Sequence, residues 1–523
     1  MELEQLREIL TNPATYPHEC DEIQLLETHI SMVFLTGDFA YKVKKPVNFG
    51  FLDFSTPDKR CHYCELEVLR NRVFAPQVYE KVMGLQVNNQ GPTLTDELQG
   101  AVEFVVRMKQ FPQSELLSLQ VAAEQFSVEN ATELGRQLAS MHRGVEQAAA
   151  DDAWGTQAAV SYPVKENFLQ IREHGDGMDD ARLVALESWS LAQLDAGGEL
   201  FAVRKRTGHI RACHGDLHLN NILWRDQQAI PFDCIEFNDE FRWIDVISEL
   251  SFLLMDLEHA GHKMLADYCL NGYLEISGDF EGVQLLPFYK VYRAMVRAKV
   301  AVLRMTQPAI DASQKQQLQQ EYDSYLALAE AYIRQQPTCL YITHGVSGSG
   351  KTTVARFVAG KLGAIHVRSD VERKRLFNLD PSADSASLLD GGIYSAEATE
   401  RTFSRLEDIA IKMIASGYSV IVDATFLRQA MRQRFRNLAE KLSVPFAILD
   451  CAIDEQTARD RVQARLAAGN DASEADLHVL EQQLANQDFL SPQEQKYVVM
   501  IDMGKPLEDI DVGQLIRCEC IAD

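Results

Sequence analysis

Two stretches of the sequence carry polar residues at spacings that suit phosphate chemistry. The first runs from Gly345 to Thr352, fits the pattern GxxxxGK[ST], and stands between an apolar strand pattern and a helical pattern. Glycines let backbone N–H groups turn toward phosphate oxygens, a lysine neutralises those oxygens, and a threonine hydroxyl ligates Mg²⁺. The sequence therefore predicts a nucleotide site made of Gly345, Val346, Ser347, Gly348, Ser349, Gly350, Lys351, Thr352 and Thr353, with Thr352 as a metal ligand.

Two carboxylates and an arginine follow this glycine-rich stretch. Asp370 comes at the end of a short predicted strand, and Arg373 follows it by one helical turn. A carboxylate there suits proton abstraction from a hydroxyl, and an arginine on the same side suits a phosphate. Asp423 ends the apolar run YSVIVD, where a carboxylate that organises magnesium or water is expected. The alternative for Asp370 and Arg373 is a helix cap followed by a solvated basic helix.

Further arginines are spaced one helical turn apart. Arg461 and Arg465 precede a loop, where a mobile lid would bring guanidinium groups over a transferring phosphoryl group. A solvated charged helix is the alternative for this pair. Arg428, Arg432 and Arg436 share the same spacing, and the pattern favours solvent-facing side chains over an anion site.

The second informative stretch is HGDLHLNN, from His214 to Asn221, which matches HxDxxxxN. An aspartate on such a loop orients and deprotonates an acceptor hydroxyl, and an asparagine five residues later binds a magnesium ion. We therefore predict Asp216 as a base and Asn221 as a metal ligand. Asp233, predicted on the next strand, would hold the metal that bridges ATP phosphates.

An ion pair that positions ATP phosphates is predicted upstream. A strand pattern carries Lys42 and Lys44, and the helical pattern after it carries Glu65 and Glu67. Strand periodicity places both lysines on one face, so the choice between them stays open, and Lys42 with Glu67 is narrowly favoured. A solvent-exposed lysine-rich edge strand is the alternative.

These residues need two kinds of scaffold. The segment SMVFLTGDFAYKVKKPV predicts two strands around Gly37, and a helix and a further strand follow. Composition shifts to Gln and Ala after Thr306, and a new strand begins after Pro337. We predict one domain over residues 1–336, with an N-lobe at about 25–108, a C-lobe at about 109–310 and a helical linker to 336, and a second domain over 337–523.

Composition excludes several classes of protein. The chain has 523 residues and a formal charge of −25 at pH 7, which disfavours nucleic-acid and membrane-surface binding. Ten cysteines in this length, and no basic and apolar leader at MELEQLREIL, predict a cytoplasmic protein with reduced thiols. Cys61 with Cys64, and Cys518 with Cys520, lack a second ligand pair for zinc, and Cys61 and Cys64 are interpreted as partly buried structural thiols.

The last third resembles P-loop kinases such as gluconate-kinase-like, zeta-toxin-like and polynucleotide 5′-hydroxyl kinases. The resemblance covers about 338–503 and rests on the glycine-rich stretch, Asp370 with Arg373, Asp423, and Arg461 with Arg465. It implies a parallel sheet flanked by helices, Asp370 as the base, and Lys351 and the two lid arginines in catalysis. Arg373 would bind substrate.

The first part resembles the aminoglycoside phosphotransferase and choline-kinase branch of the protein-kinase-like fold, over about 25–310. The whole chain is similar to bacterial fusions of an aminoglycoside phosphotransferase-like module with an AAA-type P-loop ATP-binding module. The resemblance implies a two-lobed α+β domain joined to an α/β domain, with ATP and Mg²⁺ as cofactors. Asp216 would be the base, Asn221 and Asp233 the metal ligands, and Glu236 a further acidic group.

Two departures leave alternatives open. No GxGxxG precedes Lys42, and the metal-binding segment reads Phe-Asp-Cys where protein kinases have Asp-Phe-Gly. In one interpretation both modules phosphorylate small hydroxylated molecules. In another, the first module is a silent binding or regulatory domain beside an active P-loop kinase for small molecules or 5′-hydroxyl ends. A non-enzymatic ATP switch is a third.

Overall fold

The computed structural model describes residues 2–48, 50, 52–89, 91–175, 181–307, 310–381, 383, 392–468 and 472–510. The chain divides into two compact units, and each is described by itself. The first comprises Met1–Phe126, Met141–Ala260 and Tyr292–Leu326. The second comprises Ser127–Ser140, Gly261–Val291 and Ala327–Asp523, so the glycine-rich segment shares its unit with two earlier parts of the chain.

The first unit contains a six-stranded antiparallel sheet. The two predicted strands around Gly37 are confirmed as β2 and β3, and β3 lies between β2 and β6 in the sheet order β1-β2-β3-β6-β4-β5. The strands are β1 (Gln24–Glu27), β2 (Ser31–Leu35), β3 (Phe39–Lys44), β4 (Tyr79–Asn88), β5 (Gly91–Thr95) and β6 (Glu103–Lys109).

Alternation along β3 gives the sheet two different faces. Tyr41 and Val43 join an apolar cluster with Leu6 and Leu10 of the first helix. Ala40 joins the opposite cluster with Cys64 and Val68 of the helix that follows β3. Since side chains alternate along a strand, Lys42 and Lys44 share the face of Ala40. This face is where the first unit builds its site.

The remaining elements up to residue 260 are helices and two short two-stranded antiparallel sheets. The helix carrying Glu67 begins after a Thr56 cap, whose hydroxyl accepts from the Lys59 N–H, with Pro57 in its first turn. The helices are α1 (Leu3–Leu10), α2 (Pro57–Phe74), α3 (Leu117–Ala122), α4 (Val128–Gly144), α5 (Gln157–His174), α6 (Ala181–Ala196), α7 (Gly198–Arg206) and α8 (Val246–His259). The strands are β7 (Ile210–Ala212), paired with β10 (Trp243–Asp245), and β8 (Ile222–Arg225), paired with β9 (Gln228–Pro231).

The second unit is built on a five-stranded parallel sheet, as predicted. The strand order is β12-β13-β11-β14-β15, so the strand before the glycine-rich stretch is central. Its apolar face packs on α12 through Tyr341, Val354 and Val358. The strands are β11 (Leu340–His344), β12 (Ile365–Arg368), β13 (Val420–Asp423), β14 (Phe446–Ala452) and β15 (Val498–Asp502).

The remaining α-helices of the described chain lie between residues 263 and 486. Helices α10 and α11 each contribute residues to both units. The predicted helical segment before Pro337 is confirmed as α11. The helices are α9 (Lys263–Ser277), α10 (Leu286–Met305), α11 (Ala312–Tyr332), α12 (Lys351–Leu362), α13 (Ser369–Leu376), α14 (Ala396–Ala415), α15 (Gln429–Leu442), α16 (Glu455–Ala468) and α17 (Leu477–Asn486).

Candidate active sites

Lys42 is the centre of the site in the first unit. Its Nζ lies 2.7 Å from Glu67 Oε1 on α2 and 2.5 Å from Asp233 Oδ1. Burial alone would lower the pKa of the Lys42 ammonium, but the Asp233 and Glu67 carboxylates outweigh burial and raise this pKa above its ordinary value. Burial opposes ionisation of Glu67, yet Lys42 and Lys44 lower its pKa to about 2. Lys42 and Glu67 are therefore both charged at neutral pH.

Lys44 occupies the same sheet face but has different partners. Its Nζ lies 2.6 Å from Glu67 Oε2 and also contacts Glu236. Its side chain is 1% exposed, whereas Asp233 beside Lys42 is 45% exposed. Glu65 is exposed. Of the two lysines, Lys42 is the one that shares the solvent-accessible Asp233, so the geometry favours Lys42 as the phosphate ligand.

Asp216 and Asn221 contact each other in the loop between β7 and β8. The Asn221 amide donates to the main-chain oxygen of Asp216 at 3.0 Å and to its carboxylate at 3.1 Å. His218 Nε2 lies 3.4 Å from the same carboxylate. Burial would raise the pKa of Asp216, but His218 outweighs burial and holds this pKa well below its usual range. Asp216 is therefore an ionised acceptor at neutral pH.

A buried carboxylate on α8 fixes this loop. Glu249 accepts the His214 N–H at 3.0 Å and the Gly215 N–H at 2.6 Å. His142 Nε2 lies 3.1 Å from the same carboxylate. Gly215 has φ +89°, and a Cβ there would come 2.8 Å from the Phe241 carbonyl oxygen. The aspartate of HGD therefore sits on a turn that requires glycine.

Asp233 lies beyond the strand that was predicted to carry it. Strand β9 ends at Pro231, and Asp233 adopts a left-handed φ of +61°. Its N–H donates to the Tyr79 hydroxyl at 3.1 Å, and the next N–H, of Cys234, donates to Asn71 at 2.9 Å. These two bonds hold the strained turn. The oxygen atoms of Asp233 and Asn221 are the donors that Mg²⁺ prefers, so both residues fit a metal role.

The glycine-rich stretch forms a phosphate-binding loop between β11 and α12. Gly345, Gly348 and Gly350 have φ values of +139°, +81° and +91°, which side-chain-bearing residues rarely adopt. A Cβ on Gly348 would come 2.5 Å from the Ala458 carbonyl oxygen. Helix α12 begins at Lys351, so its N-terminal N–H groups face the loop. This loop, with residues 345–353, is called the P-loop below.

Lys351 is buried and bonded to the loop itself. Its Nζ donates to the Val346 carbonyl oxygen at 2.7 Å. Burial lowers the pKa of the ammonium, and Asp423 opposes that shift without cancelling it. The Ser347 N–H donates to Gln483 at 2.7 Å, which ties the loop to α17.

Asp423 ends β13, as predicted, and pairs with a histidine. His366 Nε2 on β12 lies 3.1 Å from Asp423 Oδ2, and the Thr343 hydroxyl lies 3.4 Å from Oδ1. Burial would raise the pKa of Asp423, but the His366 bond outweighs burial and lowers it to about 2. The carboxylate is therefore ionised. The segment after it contacts the P-loop, since the Gly345 N–H donates to the Thr425 carbonyl oxygen at 3.2 Å.

Asp370 and Arg373 both lie on α13, directly after β12. Arg373 donates from Nη1 to the Ile393 carbonyl oxygen at 2.9 Å and to the Thr399 hydroxyl at 3.1 Å. Its guanidinium also lies over the Tyr394 ring. Burial lowers the pKa of Arg373, and the charge of Asp370 opposes this shift. The charge of Asp370 also opposes the lowering of the Lys351 pKa.

The two lid arginines differ in their surroundings. Arg461 is exposed, and a Cβ on Gly350 would come 3.4 Å from its Nη1, so its guanidinium lies beside the P-loop. Arg465 donates from Nη2 to the Ala475 carbonyl oxygen at 2.7 Å, while its Nε is buried without a hydrogen-bond partner. Helix α16 therefore presents one arginine to the loop and ties the other to the segment after it.

Comparison with known proteins accounts for both halves. A family model described as the phosphotransferase enzyme family matches residues 68–286, and one described as an AAA domain matches residues 340–490. Uncharacterized protein Rv2004c of Mycobacterium tuberculosis H37Rv is 32% identical over 453 residues, which cover 86% of this chain and 88% of that protein. Uncharacterized protein Mb2027c of Mycobacterium bovis matches to the same extent.

The chain belongs to the family of these mycobacterial proteins. Within that family it is a fusion of a phosphotransferase module and an AAA-type P-loop module, as predicted. It is an ATP-dependent kinase, because both modules are kinase-like. Among the described residues, no helix is long and apolar enough to cross a membrane.

Solved structures resemble each module at low identity. Amicoumacin kinase hAmiN, in complex with AMP-PNP, Ca²⁺ and Ami, is 14% identical with a TM-score of 0.38, and the match covers 62% of this chain and 93% of that one. A gluconokinase from Sinorhizobium meliloti 1021 is 20% identical with a TM-score of 0.25, covering 36% of this chain and 94% of that one.

The prediction that Arg428, Arg432 and Arg436 face solvent is wrong for Arg432. Arg432 was predicted to face solvent, but its side chain is 1% exposed and lies 2.7 Å from Glu494. It also donates to the main-chain oxygens of Phe426 and Asp488. Arg428 is 63% exposed and Arg436 26% exposed. Helical spacing was the same for all three, and the packing of the segment around residue 490 decided the difference.

The partial burial predicted for Cys61 and Cys64 is confirmed. Cys61 and Cys64 lie on α2 as free thiols, and Cys64 is buried in the apolar cluster behind Lys42. Cys518 and Cys520 lie outside the described residues.

Several residues of the two sites were not predicted from the sequence. Glu249, His366, Tyr79 and Gln483 hold site residues from elements far away in sequence. Only Glu249 had a signal, as an acidic residue inside an otherwise apolar helical stretch. The others stand in unremarkable surroundings, so local pattern could not select them.

Proposed function

We propose that the chain is a bifunctional kinase whose two sites each transfer the γ-phosphate of ATP to a hydroxyl group of a small molecule. The observation that carries the proposal is the completeness of the first site. Lys42, Glu67 and Asp233 form one hydrogen-bonded cluster, and Asp216 contacts Asn221 in a loop held by Glu249. A domain that only bound ligands would not need an ionised aspartate beside a metal-binding asparagine.

In the first site, the proposed division of roles follows from charge. Asp216 is kept ionised by His218, so it can orient an acceptor hydroxyl and accept its proton. Lys42 would bind the ATP phosphates, and Glu67 fixes its position. Asn221 and Asp233 would hold Mg²⁺, which neutralises charge on the phosphates when it is bound. Lys44 supports Glu67 from the buried side.

In the P-loop site, backbone groups do more of the binding. The N–H groups of residues 345–353 would surround the β and γ phosphates, with Lys351 as their cation and Thr352 as a metal ligand. Asp423 would organise the metal or its water. Asp370 is the proposed base and Arg373 a substrate ligand, and Arg461 and Arg465 would stabilise charge on the transferring group.

Small hydroxylated molecules are the proposed acceptors at both sites. The formal charge of −25 opposes long-range attraction of nucleic acid. Arg432, which would have contributed to a basic surface for 5′-hydroxyl ends, is instead buried against Glu494.

A second candidate is a silent first site beside an active P-loop site. Turns of three residues close both hairpins before Lys42, at 28–30 and 36–38, and Gly37 is the one glycine in them. Neither turn can cover ATP phosphates as a glycine-rich loop does. This observation favours weak or absent ATP binding at the first site.

The test uses the full chain with one site inactivated at a time. Asp216→Asn, Lys351→Ala and the double variant are compared for Mg²⁺-dependent ADP release with sugars, aminoalcohols, nucleosides and 5′-hydroxyl oligonucleotides. We expect two acceptor groups, one lost with each single variant, and no turnover in the double variant. If Asp216→Asn removes nothing at all, the first site is silent. Equal loss of every activity in both single variants would contradict two independent sites.

A further inference from the structure

Helix α9 contacts the P-loop sheet at its open edge. Strand β12 is the outermost strand of the five, so one side of its backbone has no neighbouring strand in the sheet. Asn271 on α9 lies against this side. Its Nδ2 donates to the Ala364 carbonyl oxygen at 3.0 Å, and its Oδ1 accepts the His366 N–H at 2.7 Å. One side-chain amide thus makes the two bonds that a further strand would make.

A second residue on the same helix reaches the end of that strand. Glu275, one turn after Asn271, accepts from Arg368 Nη1 at 2.8 Å, and its main-chain oxygen accepts from Arg375 at 2.8 Å. Burial would raise the pKa of Glu275, but Arg368 and Arg136 lower it to about 2. Glu275 therefore contacts the segment that contains Asp370 and Arg373 on both sides, through its ionised carboxylate at Arg368 and its main-chain oxygen at Arg375.

Two neighbouring helices, α4 and α12, carry a glycine where each packs closely against α9. A Cβ on Gly360 of α12 would collide with the Tyr268 ring, and a Cβ on Gly135 of α4 would collide with the Cys269 carbonyl oxygen. Glycine inside a helix costs about 1 kcal/mol relative to alanine. Both glycines are accounted for by this close approach. The contact with α9 is therefore built into the helix that follows the P-loop.

We propose that α9, through Asn271 and Glu275, is a positioning element of the P-loop site. The segment that it holds carries His366, which pairs with Asp423, and leads directly into Asp370. Although α9 lies within the range matched by the phosphotransferase family, residues 261–291 belong to the compact unit that contains the P-loop. Asn271 touches neither nucleotide nor acceptor in this scheme. It fixes the backbone from which His366 and Asp370 act.

The role predicts a specific kinetic signature. A misplacement of about 1 Å at reacting groups costs about a hundredfold in rate. Asn271→Leu, which keeps the branched shape and the number of side-chain heavy atoms but removes both bonds, should therefore lower turnover at the P-loop site by about tenfold to a hundredfold. Nucleotide affinity should stay within about twofold, because the P-loop itself does not contact Asn271.

The experiment rests on the proposed kinase function and separates its failure from failure of this inference. The full-length Lys42→Met/Asp216→Asn double variant is the reference, so that nucleotide binding and ADP release both report the P-loop site. Asn271→Leu, Glu275→Gln and the exposed Met264→Ala control are added to it. Binding of a fluorescent ATP analogue, ADP release and amide hydrogen exchange are measured. We expect exchange at the His366 N–H to accelerate in Asn271→Leu while β11 stays protected, and Met264→Ala to match the reference.

Different outcomes contradict the inference about α9 and the proposed kinase function. Unchanged turnover and unchanged His366 exchange in Asn271→Leu would overturn the inference, as would a parallel loss of nucleotide affinity and of protection in β11. If Asn271→Leu does not fold, Glu275→Gln decides by the same readouts. If the reference shows no Lys351-dependent turnover, the proposed function fails, and hydrogen exchange at His366 still decides whether α9 holds β12.

Discussion

The two sites hold their phosphate lysines in opposite ways. Lys42 is bound by two carboxylates, Glu67 and Asp233, which raise its pKa. Lys351 is bound by a main-chain oxygen, and burial lowers its pKa. Phosphate at the first site must therefore compete with Asp233 for the lysine, whereas phosphate at the P-loop meets a cation held by a neutral group. The first site depends on side-chain ion pairs, and the second depends on backbone geometry.

The largest expected effect comes from the two proposed bases. Asp216→Asn should lower turnover at the first site by about 10²- to 10⁴-fold and leave the P-loop site unchanged, and Asp370→Asn should do the reverse. Acceptor-stimulated ADP release measures both. Asp226→Asn, at an exposed turn residue, is the control for the first unit. Full activity of either base variant at its own site would remove that residue from the proposed mechanism.

The next largest effects are expected when each of the two lysines of β3 is replaced in turn. Lys42→Met should lower kcat/KM for ATP at the first site by about 10²- to 10³-fold, since it removes a preorganised charge at the phosphates. Lys44→Met should act mainly on stability, because it leaves Glu236 buried without its cation, at a cost of about 3 to 5 kcal/mol. Kinetics and thermal unfolding of both variants separate these effects. The reverse pattern would make Lys44 the phosphate ligand.

The pH dependence of nucleotide binding sharpens the contrast. A lysine binds phosphate in its charged form, so affinity is present below its pKa and lost as pH rises through it. Because the pKa of Lys351 lies below the ordinary 10.5, affinity at the P-loop should begin to fall at lower pH than an ordinary lysine implies. The pKa of Lys42 is raised, so the first site should keep its affinity over the same range.

Nucleotide titrations at rising alkaline pH test this difference. The Lys42→Met and Lys351→Ala chains serve to assign the binding signal to one site or the other, with circular dichroism as a check that the fold persists. A fall at both sites over the same pH range would mean that the two lysines do not differ in the way their surroundings imply.

The smallest effect is expected from a P-loop side chain. The Ser349 hydroxyl is buried, and the structure gives it no hydrogen-bond partner. If the P-loop binds phosphate through backbone N–H groups, Ser349→Ala should change nucleotide affinity by less than about twofold and stability by less than about 0.5 kcal/mol. Calorimetric binding and thermal unfolding measure both. A large loss of affinity would show that the Ser349 side chain contributes to nucleotide binding together with the backbone N–H groups.

Local sequence patterns were sufficient for the elements that carry each site. The alternation before Lys44, the apolar strand before Gly345 and the strand ending in Asp423 all appear in the structure where periodicity placed them. Such patterns are informative because strand and helix periodicities, glycine turns and capping residues act over a few neighbouring residues. The fusion of two kinase-like modules was likewise evident from short motifs.

Residues joined across long separations were not predictable in this way. Arg428, Arg432 and Arg436 have the same spacing, yet Arg432 alone of the three is fully buried, because Glu494 and two main-chain oxygens meet it there. His366 pairs with Asp423 only because β12 and β13 are neighbours in the sheet.

The sequence by itself determined the strands, the helices and the phosphate-binding loop, since these follow from interactions between residues close along the chain. The tertiary structure decided which lysine meets Asp233, which arginine is buried, and that Asn271 closes the edge of the P-loop sheet. Each of these depends on hydrogen-bond donors and acceptors brought together from distant segments. Burial of a polar group requires such a partner, and only the packed fold specifies where that partner lies.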